Sequence, residues 1–356
     1  MTTHLHESSD SSPRYAVLFP GQGVQRPGTG EPWRATESWE LVESVSRASG
    51  FDVAELLLTA DQETLSRTDH AQISVFTASL LAWSELRRRE SDARVVAVAG
   101  HSLGEYTALV AAGVLSVADG AWLVGERGRV MAEVARRRPG AMAAVMGADV
   151  DEVAALVDTF RQEGADLWVA NHNSPQQTVI AGSRTAIDAA GSRAAEAGLR
   201  YSVLPVTAAC HSPYMEPASA ALRRALELTH FAAGVLPVVA NVDARAHYGG
   251  SQWQELSTRQ LVSRVRWVES LNTLHEELDC TAFLDIGPGG TLAGLARRAL
   301  PRAYRPTSSG RLRPCRWRRS SHARRYARQY APRYAQRPGP GVRTPGRASV
   351  VAAELS

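Results

Sequence analysis

The sequence predicts an α/β fold in which a central parallel sheet is interrupted by a small inserted α+β subdomain. Residues 15–19 (YAVLF) and 95–99 (VVAVA) are continuously apolar, which is typical of parallel strands covered on both faces. The second run leads into a glycine-flanked serine and then into a strongly helical stretch. Strand-like runs return at 238–241 and 282–286, so we expect the sheet to resume after the insertion.

A helical region separates the first two predicted strands. From Trp39 to about Leu86 the apolar residues recur at helical spacing. A broad apolar face is expected there from Ile73, Phe76, Leu80, Leu81 and Trp83.

Residues 139–206 have the pattern of the inserted subdomain. Strand-like and helical runs alternate in the order β-α-β-β-α-β, which is the order of a ferredoxin-like subdomain. The six elements are expected at 141–147, 150–163, 167–171, 178–182, 186–197 and 201–206. We therefore predict a large α/β subdomain made of residues 14–138 and 207–300, with residues 139–206 inserted between its two parts.

Charge is distributed unevenly along the 356 residues. All 40 basic residues are arginines, and against 36 acidic residues they give a formal net charge of +4. Residues 1–300 hold 26 arginines against 35 acidic residues, whereas residues 301–356 hold 14 arginines against the single Glu354. Both ends, 1–13 and 301–356, lack helix or strand periodicity and are predicted to be disordered.

Composition narrows the class of protein. An arginine- and tyrosine-rich tail suits phosphate contact and base stacking, but no base-reading module accompanies it, so nucleic-acid binding is the weaker alternative. The scattered cysteines predict neither a disulfide framework nor a zinc site. No run approaches the length of a membrane span, and no signal peptide is visible. We expect a cytoplasmic, monomeric protein without a metal or a membrane partner.

Ser102 is the predicted nucleophile. It lies in the pentapeptide GHSLG (100–104), a GxSxG pattern between a predicted strand and a predicted helix. This strand-turn-helix unit exposes a serine hydroxyl above the sheet edge, and the helix N-terminus supplies N–H groups for an oxyanion. The large subdomain is for this reason predicted to be α/β-hydrolase-like.

His211 is the favoured general base among the ten histidines. It follows a predicted strand and lies in a loop without competing charges, although spacing alone does not bring it to Ser102. Hydrolase triads place an acid between serine and histidine along the chain, but here the acids of that interval fall on predicted helix faces. We therefore expect an amide or a main-chain carbonyl to orient the imidazole, with Asn241 and Gln260 as candidates.

Two further residues offer chemistry to a serine acyl-enzyme. Arg127 lies on a predicted helix after Gly120 and is suited to hold a substrate carboxylate through two parallel hydrogen bonds. Gln22, in the loop after the first strand, can place a backbone N–H opposite that of Leu103. Together these two N–H groups would form an oxyanion hole.

A series of longer motifs extends along about residues 15–300. In chain order they are PGQG, GHSLGEYTALVAAGVLS, GERGRVM, GAMAAVMG, NHNSPQQTVIAG, ACHSPYM, VVANVD, RQLVSRVRW and FLDIGPGGTLAGL. This series resembles that of the malonyl-CoA:acyl-carrier-protein transacylases of fatty-acid synthesis and of the acyltransferases of polyketide synthases. The resemblance rests on many motifs and not on one pentapeptide.

The resemblance implies a role for each candidate. Ser102 would take a malonyl-type acyl group from coenzyme A and pass it to the phosphopantetheine thiol of an acyl carrier protein. His211 would act as base and then as acid. Arg127 would bind the malonyl carboxylate, and Gln22 and Leu103 would supply the oxyanion-hole N–H groups.

It also implies how the histidine is held and what the enzyme works with. In the family a main-chain carbonyl at the position of Gln260 orients the histidine, with an asparagine at the position of Asn241 nearby. No resident cofactor is implied, because the substrates are a coenzyme A thioester and a carrier-bound phosphopantetheine. We expect a discrete enzyme acting in trans on a separate carrier protein, in polyketide biosynthesis.

His101, Ala209 and Cys210 are the predicted acyl-pocket residues. Family members usually carry serine or phenylalanine immediately before the histidine, where this chain has Cys210. The small side chains of Ala209 and Cys210 leave room for ethylmalonyl or another alkylmalonyl unit. In contrast, Leu103 after the serine is the residue that resembles malonyl-specific enzymes. Malonyl is favoured, because one methylene in a pocket changes the selectivity between acyl units by only ~1–3 kcal/mol and a single pocket residue seldom decides it. An acyl hydrolase that edits stalled carrier thioesters is a further alternative, against which Arg127 argues.

Overall fold

Helices and strands alternate through most of the chain in the computed structural model, which describes residues 13–89, 94–300 and 307–308. The strands are β1 (Tyr15–Phe19), β2 (Val95–Gly100), β3 (Ala141–Met146), β4 (Leu167–Ser174), β5 (Gln177–Gly182), β6 (Arg200–Val203), β7 (Ala233–Val239), β8 (Ala246–Gly249), β9 (Val265–Arg266), β10 (Ala282–Asp285) and β11 (Thr307–Ser308). The α-helices are α1 (Glu40–Ser49), α2 (Val53–Leu58), α3 (Gln62–Ser66), α4 (Thr68–Arg89), α5 (Gly104–Ala111), α6 (Val117–Arg137), α7 (Val150–Gln162), α8 (Arg184–Glu196), α9 (Glu216–Glu227), α10 (Gln252–Gln260), α11 (Trp267–Asn272) and α12 (Thr291–Ala299).

The larger sheet has six strands in the order β11-β10-β1-β2-β7-β8. All neighbours are parallel except β7 and β8, which pair antiparallel at one edge. β1 and β2 lie at its centre, and four of the five residues of β1 are buried. The predicted α/β fold with a central parallel sheet is confirmed.

The smaller sheet has five strands in the order β6-β3-β5-β4-β9. β3 pairs antiparallel with β5 and β6, and β4 pairs antiparallel with β5. α7 connects β3 to β4, and α8 connects β5 to β6, so the elements follow the order expected from the sequence. β9 comes from the later part of the chain and adds parallel to β4, which ties the two parts together.

Three strands differ by at least three residues from their sequence-based bounds: β4 continues to Ser174 instead of ending at 171, β6 ends early and β7 begins early. β6 ends at Val203 because the next residue but one is Pro205, which has no N–H to donate to a ladder. β7 begins as early as Ala233 and passes through Pro237, and its pairing with β8 shifts register between Ala233 and Val238.

The predicted disordered ends fall almost wholly outside the described residues. Pro13 and Thr307–Ser308 are the exceptions, and the backbone of Thr307–Ser308 pairs in parallel with Leu284 and Asp285 of β10. The disorder of both ends stays a prediction.

α4 is a long, mostly buried helix whose apolar residues share a core with one face of the large sheet. Of its predicted apolar face, Ile73, Phe76, Leu80 and Leu81 are at most 2% exposed, and Trp83 packs edge-on against Phe19 of β1. Burying each of these large apolar side chains stabilises the folded protein by about 1.5–3 kcal/mol relative to leaving it exposed. Among the described residues, no helix is long and apolar enough to cross a membrane.

Candidate active site

Ser102 lies in the tight turn between β2 and α5, with a left-handed backbone (φ 52°). The two flanking glycines are required by close approaches. A Cβ on Gly100 would lie 1.9 Å from the carbonyl of Gly104, and a Cβ on Gly104 would lie 2.0 Å from the main-chain oxygen of Phe19. A side chain at Gly100 would push β2 away from the start of α5, and one at Gly104 would push the turn away from β1, which is why the serine lies between glycines.

His211 meets Ser102, as expected of a nucleophile and its base. The Ser102 Oγ is 2.7 Å from His211 Nε2, and His211 Nδ1 is 2.9 Å from the main-chain oxygen of Gln260. A carbonyl oxygen only accepts, so Nδ1 carries the proton and the Nε2 lone pair faces the serine hydroxyl. The carbonyl of Gln260 thus selects the tautomer that can act as a base.

The imidazole of His211 is neutral at ordinary pH. It is 4% exposed, and burial together with the positive charge of Arg127 lowers the pKa of His211 to about 3. A neutral imidazole can remove the serine proton without first losing one of its own.

Asn241 hydrogen-bonds the turn that carries Ser102 and not the imidazole of His211. Its Oδ1 accepts a hydrogen bond from the Ser102 N–H at 2.7 Å, and its Nδ2 donates to the Gly100 carbonyl at 2.7 Å. Both side-chain groups are therefore used by the serine turn, and the expectation that Asn241 orients His211 is wrong. It braces the nucleophile instead.

Arg127, on α6, places a buried guanidinium beside the serine. Nη2 donates to Ser102 Oγ at 3.2 Å and to Gln260 Oε1 at 3.1 Å, and Nη1 donates to Gln72 Oε1 at 2.5 Å. The residue is 1% exposed, and burial lowers the pKa of Arg127, yet a guanidinium starts so high that it stays charged.

Gln72 and Glu105 are two polar residues at this site that the sequence reasoning missed. Gln72 is fully buried on α4, where other polar residues such as Ser74 and Thr77 are also buried, so nothing in the sequence singled it out. Glu105 is 1% exposed on the first turn of α5, where burial raises its pKa, whereas two N–H donors and the charge of Arg127 favour the carboxylate that accepts both hydrogen bonds. Its signal was an acidic residue within the apolar helix that follows the serine.

The two predicted oxyanion donors flank the nucleophile along separate chain segments. Leu103 follows Ser102 directly, and Gln22 lies in the loop after β1 and lines the cavity at the serine. Within the described residues, neither backbone N–H takes part in a hydrogen bond to the protein. Two such donors are free to receive a substrate oxygen.

A cavity of about 430 Å³ opens above Ser102 and His211. Cys210 and His101 contribute to its wall, and His101 Nε2 is 2.8 Å from Asn173 Oδ1. Burial raises the pKa of the Cys210 thiol to about 11, so it is a protonated wall group at neutral pH.

Ala209 lies outside this cavity. Its Cβ is 2.7 Å from where a Cβ on Gly140 would lie, so it packs on the start of the smaller sheet. Its assignment as an acyl-pocket residue is therefore wrong. Arg127, Leu103 and Gln260 are buried next to Ser102 but are not among the residues that line the cavity.

Known proteins resemble this chain over most of its length. The family model described as "Acyl transferase domain" matches residues 17–329. The malonyl CoA-acyl carrier protein transacylase of Bacillus subtilis (strain 168) is 36% identical over 295 residues, which are 80% of this chain and 90% of that protein. The polyketide biosynthesis protein ThaF of Burkholderia thailandensis is 38% identical over 295 residues, covering 82% of this chain but 25% of ThaF.

Solved structures give the same result. A malonyl-transacylase determined in complex with a type II polyketide-synthase acyl-carrier protein superposes with a TM-score of 0.78 at 32% identity, covering 83% of this chain and 95% of that one. An acyltransferase of α/β fold is the class that fold and site define. The relatives narrow that class to one family: the chain belongs to the malonyl-CoA:acyl-carrier-protein transacylase family.

Proposed function

We propose that this protein transfers a malonyl unit from coenzyme A, through an ester on Ser102, to the phosphopantetheine thiol of an acyl carrier protein. The observation that carries the proposal is the buried guanidinium of Arg127, 3.2 Å from the Ser102 hydroxyl oxygen. A fixed positive charge so close to the nucleophile suits an acyl group that itself bears a carboxylate. The names of the relatives support the same donor.

The first half-reaction forms the acyl-enzyme. His211 Nε2 takes the proton of Ser102 as Oγ attacks the thioester carbonyl, and the carbonyl oxygen becomes an oxyanion facing the N–H groups of Gln22 and Leu103. The carbon–sulfur bond then breaks, and the imidazolium returns the proton to the coenzyme A sulfur. The Gln260 carbonyl holds the imidazole throughout.

Arg127 gains a free donor when the ester forms. In the free enzyme its Nη2 donates to Ser102 Oγ, and an ester oxygen is a much weaker acceptor than a hydroxyl. The donor can then turn to the malonyl carboxylate, while Gln72 and Gln260 keep the guanidinium in place. Carboxylate recognition is thereby linked to acylation.

The second half-reaction reverses these steps with a different thiol. The phosphopantetheine sulfur loses its proton to His211 and attacks the ester carbonyl, and Ser102 leaves with the proton from the imidazolium. Thioesters react in this way without an electron acceptor or a Lewis acid, so we propose that the protein needs no resident cofactor.

We infer a carrier protein on a separate chain as the acceptor, in polyketide biosynthesis. The type II polyketide-synthase acyl-carrier protein bound to a structurally similar malonyl-transacylase supports this partner. The name of ThaF supports the polyketide context. The Bacillus subtilis relative, matched over 90% of its length, supports an enzyme that acts on a separate carrier.

Cys210 favours a second candidate, the same reaction with an alkylmalonyl unit. Its small side chain lies in the cavity wall next to the base, where it leaves space for an alkyl branch. Malonyl remains the favoured unit because the space of a methylene changes selectivity by only ~1–3 kcal/mol.

Intact-protein mass spectrometry tests the donor directly. The purified protein is mixed in turn with malonyl-, methylmalonyl-, ethylmalonyl- and acetyl-CoA, and the mass gained is measured at short times. We expect a malonyl adduct to form fastest and to be absent in Ser102→Ala. An adduct that forms faster from ethylmalonyl-CoA would establish the second candidate, and adducts that persist in Ser102→Ala would refute the seryl ester.

A further inference from the structure

Glu105 is a buried carboxylate that none of these reaction steps uses. It lies on α5, three residues after Ser102, and its two oxygens have separate partners. Oε2 accepts a hydrogen bond from the Asn241 N–H at 2.6 Å, and Oε1 accepts one from Gln260 Nε2 at 2.9 Å. Burying a carboxylate is costly even when it is hydrogen-bonded, so its place here needs a reason.

The two hydrogen bonds of Glu105 close a ring through the catalytic pair. Asn241 leads to the Ser102 N–H at 2.7 Å, and the Gln260 carbonyl leads to His211 Nδ1 at 2.9 Å. The contact of 2.7 Å between Ser102 Oγ and His211 Nε2 completes the ring. Glu105 is thus the point at which the support of the nucleophile and the support of the base meet.

Both catalytic residues need such support because of their backbones. Ser102 has φ 52° and His211 has φ 58°, a left-handed conformation that costs an L-residue about 1–2 kcal/mol. A conformation of this kind persists only where neighbouring contacts fix it. Asn241 fixes the N–H of Ser102, and Gln260 fixes the ring of His211.

Gln260 also links Glu105 to the buried arginine. Its Oε1 accepts from Arg127 Nη2 at 3.1 Å, while its Nε2 donates to Glu105 and, at 2.9 Å, to the Ser102 carbonyl. The amide therefore lies between a buried cation and a buried carboxylate, and the two groups orient it in the same sense. If the Gln260 amide were flipped, its N–H would face the N–H of Arg127 and its oxygen would face the Glu105 carboxylate.

We propose that Glu105 is a positioning residue, which holds Asn241 and Gln260 so that Ser102 and His211 meet in reactive geometry. The proposal takes the catalytic pair of the proposed function as its starting point. Glu105 acts through these two neighbours and does not contact the reacting atoms.

The test replaces the carboxylate with an amide of the same shape, Glu105→Gln. An amide can accept from only one of the two donors and turns an N–H toward the other, so one support of the pair is lost. The rate of modification of Ser102 by a fluorophosphonate probe is measured, because this reagent reports serine activation without any acyl-CoA. We expect a fall of about 100-fold, the size that a displacement near 1 Å can produce.

The matched control is Glu85→Gln. Glu85 is also buried (5% exposed) and accepts a hydrogen bond from Ser38 Oγ at 2.6 Å, but it lies outside the ring. We expect its probe rate to stay within about threefold of wild type. A purely structural role for Glu105 would lower the Tm and the active fraction of Glu105→Gln and leave its rate per active site unchanged.

Steady-state kinetics separate positioning from substrate binding. In Glu105→Gln, kcat is expected to fall while KM for the acyl-CoA stays within about twofold, because Arg127 keeps its hydrogen bond to Gln72 and the cavity wall is unchanged. If the variant does not fold, Glu105→Asp replaces it, since a side chain one methylene shorter cannot reach both donors, and a loss of at least about tenfold is expected.

A probe rate within about threefold of wild type in the folded Glu105→Gln variant, or in Glu105→Asp where the first does not fold, would overturn the proposal. The probe also separates this inference from the proposed function. If the protein fails to transfer malonyl but Ser102 activation still depends on Glu105, the function is wrong and the positioning role stands.

Discussion

Ser102 and His211 are 109 residues apart in the chain, yet Oγ of the first lies 2.7 Å from Nε2 of the second. Both residues have a positive φ although neither is glycine. Ser102 adopts this backbone conformation in the turn between β2 and α5, and His211 adopts it in the loop before α9. Two strained loops from distant parts of the chain are therefore held against each other by the residues packed beneath them.

The strain at Ser102 should be visible in stability. Glycine adopts φ 52° without the steric cost that alanine shares with serine, although it loses more entropy on folding. We expect Ser102→Gly to be more stable than Ser102→Ala by about 0.5–1 kcal/mol, measured by urea denaturation. Both variants lack the hydroxyl, so the comparison isolates the backbone. Equal stabilities would mean that the turn is not strained.

Arg127 should discriminate between acyl donors. Arg127→Ala removes the guanidinium that is placed to bind the malonyl carboxylate, so we expect malonyl transfer to fall by about 10- to 150-fold. Acetyl transfer, which offers no carboxylate, should change by no more than about threefold. Arg127→Lys keeps the charge but not the two-pronged geometry and should give an intermediate malonyl rate.

The measurement for Arg127 is the rate of acyl-enzyme formation from each donor under single-turnover conditions. Arg193→Ala serves as the control, since its side chain forms an exposed ion pair with Glu196 on α8, away from the described active-site residues. Equal losses with malonyl and acetyl donors would contradict the role of Arg127 in binding the carboxylate.

The pH dependence of acylation should lack the usual histidine limb near 6.5. The base must be neutral to act, and burial with the charge of Arg127 lowers the pKa of His211 to about 3. We expect the acylation rate by acetyl-CoA to stay level from pH 8 down to about pH 5. In Arg127→Ala the nearby positive charge is gone, so the limb should move to higher pH. A wild-type limb near 6.5 would show that His211 is not held in this environment.

Glycine-to-alanine substitutions should have opposite effects at two helix positions. At Gly104 a Cβ would lie 2.0 Å from the Phe19 carbonyl oxygen, so Gly104→Ala is expected to destabilise the protein by more than about 4 kcal/mol. At Gly294, inside α12, the nearest atom is 3.8 Å away, so Gly294→Ala is expected to add about 0.5–1 kcal/mol. Thermal unfolding compares them, and a stable Gly104→Ala would contradict the close packing of the turn on β1.

The sequence predicted the parts of this protein whose signals are local. The apolar strands and the glycine-flanked Ser102 are continuous patterns, and each sets its own structure through burial or a tight turn. The order of strands and helices in residues 139–206 was also visible, because each element carries its own periodicity. These features account for most of the fold.

The rest depends on contacts between distant segments. Asn241 looked like a partner of His211, yet its amide is used by the serine turn. Ala209 is adjacent to a cavity residue in the chain but faces Gly140. Gln72 had no pattern that marked it, and Glu105 was marked only as an acid in an apolar helix, because the roles of both arise only when α4, α5 and α10 pack together around Arg127.

Transfer to a carrier is the most direct test of the central claim. The enzyme is first loaded with malonyl from labelled malonyl-CoA and freed of excess donor, and a holo acyl carrier protein is then added. We predict that the label leaves Ser102 and appears on the phosphopantetheine of the carrier, while little free malonate forms. Label that appears as free malonate whether or not the carrier is present would contradict the account and identify a hydrolase.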